Sequence, residues 1–245
     1  MQDERYIRQV KLIGEEGQEK LKSSSVLIVG CGGLGCPISL YMATAGVGKL
    51  TLIDDDVVSL SNLHRQILFG FNDIGMVKVD IAKKKLLDLN PRMEITSINE
   101  RLDINNVKRH ISNHDLIILG CDDLDTRYIV NDACCDMNIP YINASVLGDE
   151  GSVTYFDIVN GCYRCIFPDA KSNNLTPRPE DIGVLGPLVG VIGTATATMA
   201  IEILINNESY YVNNMYVFDS LKLKMKGYSF EKSHSCISCC KQISM

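Results

Sequence analysis

The sequence predicts an α/β protein: a Rossmann-like, mostly parallel sheet flanked by helices and extended by antiparallel strands in the C-terminal half. Three observations predict it. Short apolar runs, Val26-Leu27-Ile28-Val29 and Leu116-Ile117-Ile118-Leu119, read as buried central strands. Segments of helical pattern separate such runs. A glycine-rich stretch, Gly30-Cys31-Gly32-Gly33-Leu34-Gly35, follows the first run and opens a helix of small residues.

Taken in order, residues 15–22 read as a polar helix, broken at Ser23–Ser25 before the strand at 26–29. A helix is expected over Leu34–Ala45 and a strand over Leu50–Ile53, which ends at Asp54-Asp55-Asp56. Val77–Leu89 is amphipathic and closed by Asn90-Pro91. Strands follow at Glu94–Ile98, Leu116–Leu119 and Pro140–Ala144, with a helix over Thr126–Met137. Beyond this point the alternation stops. Ser152–Ile158 and Met215–Leu223 read as two longer strands, with a polar loop at 168–181 and a helix at Pro187–Ile205 between them. The chain reads as one domain, 1–245, in two halves, 1–145 and 146–245.

Composition narrows the class. With 46% hydrophobic and 22% charged residues in 245, the chain has enough apolar material for a proper core. A net charge of −6 argues against binding nucleic acid through its phosphates. Lys83-Lys84-Lys85 sits in a helical pattern and reads as a solvated face. Residues 1–24 are polar, so no secretory signal is expected. Ile182–Ile201 is uncharged and long enough to span a membrane. Its four glycines, one proline and three threonines favour a buried core helix instead, so no membrane association is expected. Ten cysteines without a secretory signal suggest a cytoplasmic protein that binds metal rather than one that forms disulfides.

The glycine stretch fits G-x-G-x-x-G in the setting that gives the pattern meaning, after a strand and at a helix start. Gly30 permits the tight turn, Gly32 lets backbone approach a phosphate, and Gly35 lets helix and strand pack closely. Phosphate would rest on the helix N-terminus. Asp54 lies 19 residues past Gly35, near the spacing of a ribose-binding acid. The pattern also occurs in tight turns without ligand, and it does not separate NAD from ATP.

The polar run Asp54-Asp55-Asp56-Val57-Val58-Ser59-Leu60-Ser61-Asn62-Leu63-His64-Arg65-Gln66 is more specific. With the glycine loop, Lys78, the N-terminal Arg5-Tyr6-Ile7-Arg8-Gln9 and the segment Gly120-Cys121-Asp122-Asp123-Leu124-Asp125-Thr126-Arg127, it resembles the ThiF/MoeB/HesA family, relatives of the ubiquitin-activating enzymes. The resemblance runs from about residue 4 to 240. Aligned back from Arg127, Asp122 takes the family's aspartate position and Asp123 replaces its asparagine.

The resemblance implies an adenylyltransferase, in which a carboxylate attacks the α-phosphorus of ATP and displaces pyrophosphate. Both reactants are anions, so catalysis is mostly positioning and charge neutralisation. Arg65 and Lys78 would hold phosphates, Asn62 would hydrogen-bond a phosphate oxygen, and Asp54 would take the ribose hydroxyls. Asp56 would order the site, with Ser61, Asp123 and the glycines 30, 32, 33 and 35 completing it. Asp122 would hold Mg²⁺, which prefers oxygen ligands. Arg8 would reach across a homodimer interface as a finger. Singly, each charge is an ordinary surface ion-pair partner; their order in the sequence carries the reading.

Cys162-Tyr-Arg-Cys165 and Cys236-Ile-Ser-Cys239 offer four thiolates for a closed structural zinc site, where the family also carries zinc cysteines. Reduced, unligated thiols are the alternative, and Cys240 can stand in for Cys239. Some relatives carry a nucleophilic cysteine before the last helix. Here that position falls near Pro179, and no cysteine lies between 166 and 235. The resemblance is therefore to the MoeB type, which leaves sulfur transfer to a separate donor.

The expected partner is a ubiquitin-like sulfur-carrier protein with a Gly-Gly C-terminus, of the molybdopterin-synthase or thiamine-biosynthesis type, received by the half at 146–245. Three rivals remain. The same fold can adenylate a peptide or another carboxylate. An NAD-dependent dehydrogenase would use the glycine loop and Asp54, but has no need of Ser61–Gln66 or Arg5–Gln9. A non-catalytic, zinc-pinned binding partner would have no need of Arg8, Arg65, Lys78 and Asp122.

Overall fold

The computed structural model describes residues 4–168, 182–206 and 208–240. Five strands, β1 (Ser25–Val29), β2 (Lys49–Ile53), β3 (Glu94–Ile98), β4 (Leu116–Leu119) and β5 (Tyr141–Leu147), pair in parallel. Three more, β6 (Glu150–Phe156), β7 (Asn214–Asp219) and β8 (Lys224–Ser229), add on antiparallel. The result is one eight-stranded sheet in the order β3-β2-β1-β4-β5-β6-β7-β8, the α/β class the sequence predicts.

The parallel strands are buried on both faces because successive side chains feed two cores. In β1, Val26 and Ile28 enter one core while Leu27 and Val29 enter the other; in β4, Leu116 and Ile118 separate in the same way from Ile117 and Leu119. The helices are α1 (Ile7–Ser23), α2 (Gly35–Ala45), α3 (Lys78–Leu89), α4 (Val107–Ile111), α5 (Leu124–Met137), α6 (Tyr163–Ile166) and α7 (Gly186–Leu204). α2, α3 and α7 supply the first core; α4, α5 and α6 supply the second.

α7 is the apolar helix of the 182–201 region, long and apolar enough to cross a membrane by length and composition alone. It packs against α2 and across β5 and β6, and buries Leu188, Val189, Ile192 and Met199. Gly193 sets the α2–α7 approach, since a Cβ there would lie 2.4 Å from Pro37 Cγ.

Three expectations change. The first helix begins at Ile7, well before residue 15, and bends at Gly14, where φ is 73°. The strand expected at Ser152–Ile158 starts earlier and stops at Phe156; Ile158 has φ 68° and leaves the sheet. The stretch Met215–Leu223 is not strand throughout: it is β7 from its second residue, followed by the turn of a hairpin. Asp219 accepts from the Lys222 amide at 3.0 Å and Leu223 has φ 52°, so the chain turns back into β8. The two short helices α4 and α6 give no clear periodic signal at their length. The loop expected at 168–181 lies, past residue 168, outside the described residues, as does Pro179.

Candidate functional site

The sheet order reverses between β1 and β4, since β1 leads outward to β2 while β4 leads the other way. Open α/β sheets form a ligand crevice at the carboxyl ends of such strands. Gly30 follows β1 with φ 93°, and its amide donates to the Ile53 carbonyl at 2.8 Å. A side chain there would be strained by the positive φ and would press on the Cys121 backbone nitrogen at 3.0 Å. A Cβ on Gly35 would lie 2.0 Å from the Gly30 carbonyl oxygen, so helix start and strand end touch through this glycine. Gly32 differs: the nearest atom to a Cβ there is Gln66 Nε2 at 3.6 Å, so its outer face is open.

A cavity of about 600 Å³ opens above this loop, within the range of small-molecule sites. Of the residues predicted from sequence, Gly30, Gly32, Gly33, Asp54, Asp56, Asn62, Arg65, Lys78, Asp122 and Asp123 line it. Gly35 lies behind the loop. Ser61 is off the lining, where its carbonyl accepts from Arg65 Nη1 at 3.1 Å. Arg8 sits exposed on α1, also off the lining.

Asp54 ties the loop to the second strand. Its Oδ2 accepts from the Cys31 amide at 2.6 Å and its Oδ1 from the Asp56 amide at 2.9 Å. Burial pushes this carboxyl above its ordinary value, moderated by the Cys31 amide and the Lys78 ammonium. Lys78 opens α3, is 4% exposed, and donates to Asp56 Oδ2 at 2.7 Å. Asn62 closes a short turn by accepting from the Ser59 amide at 3.4 Å. Arg65 Nη1 also bonds His64 Nε2 at 2.8 Å, which the guanidinium can only donate to.

The neighbours Asp122 and Asp123 have separate work. Asp123 caps α5: its Oδ2 accepts from the Thr126 amide at 2.8 Å and the Thr126 hydroxyl at 2.6 Å. Burial raises its carboxyl, but the Thr126 bonds, with Arg101 nearby, outweigh burial and hold it below the usual range. Asp122 is exposed to the cavity and makes no hydrogen bond or ion pair among the described residues, so its oxygens are available to a cation. Six carboxylates and four Arg or Lys side chains line the cavity. A polyanion entering it therefore meets an acidic excess unless a cation enters with it.

A second cluster lies in the core that α4, α5 and α6 supply. The thiols of Cys162, Cys165, Cys236 and Cys239 all sit within 4.8 Å of one another. Separations of 3.5 Å (Cys162–Cys236), 3.5 Å (Cys165–Cys239) and 4.0 Å (Cys162–Cys165) are too long for disulfides. They suit a tetrahedral ion, whose metal–sulfur bonds of about 2.3 Å place sulfurs about 3.8 Å apart. Cys240 lies outside this group, its thiol turned to the Ser233 carbonyl at 3.2 Å. Hydrogen bonding from Cys135, and then from Cys236 and Cys239, holds the Cys162 thiol below its ordinary value against the effect of burial. Asp132 on α5 clasps both cysteine turns: it accepts from Arg164 Nε at 2.8 Å and from the Ser238 hydroxyl at 2.5 Å.

Residues 5–239 match the ThiF family. The chain belongs to the ThiF family. It is 39% identical over 243 residues to "Adenylyltransferase and sulfurtransferase MOCS3" of Culex quinquefasciatus, covering 96% of this chain and 55% of that protein. It is 39% identical over 239 residues to "Sulfur carrier protein ThiS adenylyltransferase" of Escherichia coli K12, covering 96% of this chain and 94% of that one. The chain thus spans about half the length of the MOCS3 relatives it matches and nearly all of the ThiS adenylyltransferase. Among solved structures, E. coli MccB with AMPCPP and MccA superposes with a TM-score of 0.85 at 25% identity, covering 98% of this chain and 75% of MccB.

Several residues of this ThiF-family cavity escaped the sequence reading. Gln66 and Arg127 belong to the quoted motifs, which give neither a role of its own. Gln66 is 4% exposed, and its buried Oε1 has no partner among the described residues. Arg127 donates to the Cys121 carbonyl at 2.8 Å and to the Ser145 hydroxyl at 3.0 Å, which binds the ends of β4 and β5 together. Their place in the motifs was the available signal. Glu100 and Arg101, from the segment after β3, line the cavity too. No pattern marks them, because a segment that leaves a strand and crosses a crevice has no periodicity.

Proposed function

We propose that this protein is an ATP-dependent adenylyltransferase that activates the C-terminal glycine carboxylate of a ubiquitin-like sulfur carrier ending in Gly-Gly. The observation that carries the reading is the convergence of Asp54, Arg65, Lys78 and Asp122, from four separate segments, on one cavity over the open face of Gly32. The names of the MOCS3 and ThiS adenylyltransferase relatives support it.

The chemistry follows from the residues. ATP would lie with its phosphates over the amides of the glycine loop and the α2 N-terminus. Lys78, buried in the wall, would offset phosphate charge at a fixed point, and Arg65 would turn from the Ser61 carbonyl and His64 to the leaving pyrophosphate. Asp54 would take the ribose hydroxyls on the lone pairs its two amide bonds leave over. A carboxylate oxygen of the carrier attacks the α-phosphorus, the α–β phosphoanhydride breaks, and pyrophosphate departs. Magnesium, held by Asp122, would neutralise the phosphates and offset the acidic excess of the cavity.

The four-cysteine cluster would hold one zinc ion and pin the C-terminal segment to α6; it is closed, so its role would be structural. We place the protein in the cytoplasm as a homodimer, with Arg8 of one protomer reaching toward the other's cavity. Its exposure and its absence from its own cavity's lining support that reading. The sulfur donor would be a separate protein. A second reading, adenylation of a peptide or another carboxylate, is favoured by the likeness to MccB.

Exchange of labelled pyrophosphate into ATP, with a panel of Gly-Gly-tailed carriers, tests the proposal. Exchange that depends on one carrier supports it. Carrier-independent silence together with oxidation of NADH would turn the reading toward a dehydrogenase.

A further inference from the structure

Asp123 stands beside the free carboxylate of Asp122, at the end of the cavity where a polyphosphate would need its cation. Two adjacent negative charges there would repel an anionic ligand. Arg101 answers one of them: its Nη2 lies 3.5 Å from Asp123 Oδ1, and both side chains line the cavity. The pair is also a strap. Arg101 follows β3 and Asp123 follows β4, and β2 and β1 lie between them in the sheet. Neighbouring strands are spaced by about 4.8 Å, so the segment after β3 crosses about 14 Å over the strand ends to reach α5. Buried Leu102 anchors that segment to the core shared with α4 and α5.

We propose that Arg101 is a nucleotide-affinity residue of this cavity, neutralising Asp123 so that the phosphates of the ligand are accepted beside Asp122. The inference rests on the ATP-binding reading above. An uncharged side chain at 123 would need no such counter-charge.

The test is a binding series with adenosine, AMP, ADP and ATP, each with magnesium, on the full chain. Arg101→Ala should weaken ATP by about fivefold or more, ADP less, and adenosine hardly at all, because the penalty follows ligand charge. Asp123→Asn should fold normally, since asparagine also caps helices. Added to Arg101→Ala, it should restore ATP affinity to within about twofold of the parent. Arg101→Lys should keep most of the affinity. Equal weakening of adenosine and ATP would overturn the proposal, because Arg101 would then be only a wall of the cavity. Failure of Asp123→Asn to restore affinity would overturn it as well. Lys78→Ala separates the two readings: if it abolishes ATP binding while Arg101→Ala changes nothing, the strap proposal alone fails. If Lys78→Ala leaves ATP binding unchanged, the nucleotide site itself is wrong.

Discussion

Lys78 Nζ meets Asp56 Oδ2 at 2.7 Å, joining the first turn of α3 to the loop after β2 at the wall of the cavity. The lysine is 4% exposed while Asp56 is open to solvent. A buried ammonium with one exposed partner is held at a fixed point yet can share its charge with a ligand.

Lys78→Ala should therefore reduce carrier-dependent exchange by about 10²–10³-fold, the cost of removing one preorganised charge from a developing transition state. Asp56→Asn should cost much less, because the ammonium stays in place. Steady-state exchange rates on the two variants check this; equal losses would mean that the ion pair, rather than the lysine, matters.

Glycine substitutions should separate fold from binding. Gly35→Ala sets a methyl 2.0 Å from the Gly30 carbonyl, and backbone cannot step aside. It should destabilise the protein by about 3 kcal/mol or more. Gly32→Ala meets nothing nearer than 3.6 Å, so it should melt like the parent while losing nucleotide affinity, its methyl standing where phosphate approaches. Thermal melts beside ATP titrations distinguish the two.

The buried carboxyl of Asp54 gives a pH signature. Its folded value is raised above 3.8, chiefly by burial. The folded state then holds the proton more tightly than the unfolded chain. The stability this contributes is fully present below 3.8 and lost as pH rises through the folded value. The Tm of the parent minus that of Asp54→Asn should fall as pH rises through that window. A difference independent of pH would show that the carboxyl is not perturbed.

The cysteine cluster predicts one zinc per chain by elemental analysis. Cys162→Ser and Cys239→Ser should lose the metal, and Cys240→Ser should keep it, since Cys240 faces the Ser233 carbonyl. Chelation should lower Tm before it alters exchange. Asp132→Ala, which frees both cysteine turns, should weaken metal affinity by about tenfold or more.

The sequence was most legible where local pattern and chemistry coincide. Val26–Val29 followed by the glycine loop marks β1 and the α2 start, because a buried strand and a phosphate turn each have a composition. Asp54, Arg65, Lys78 and Asp122 were legible as a motif, and the fold brings them to one cavity. The β7–β8 turn was not, because Met215–Leu223 is continuous in character and its reversal rests on the Asp219 carboxylate, which accepts from the amide and the ammonium of Lys222, and on a positive φ at Leu223. Arg101 was not legible either. Its pairing with Asp123 depends on strand order, which places two segments from opposite sides of β1 and β2 within reach. The same limit leaves Cys240 able to stand in for Cys239 beside the C-x-x-C pair, whereas in the fold the Cys239 thiol joins the cluster and the Cys240 thiol faces the Ser233 carbonyl.

A structure of the protein with magnesium and a non-hydrolysable ATP analogue bears most directly on the central claim. The account predicts phosphate oxygens within about 3.2 Å of the glycine-loop amides, with Lys78 reaching them from its place beside Asp56, Arg65 turned to the phosphates and Asp122 on the metal. An analogue bound elsewhere, or a triphosphate in the cavity out of reach of Lys78 and with Arg65 still turned to the Ser61 carbonyl, would contradict it.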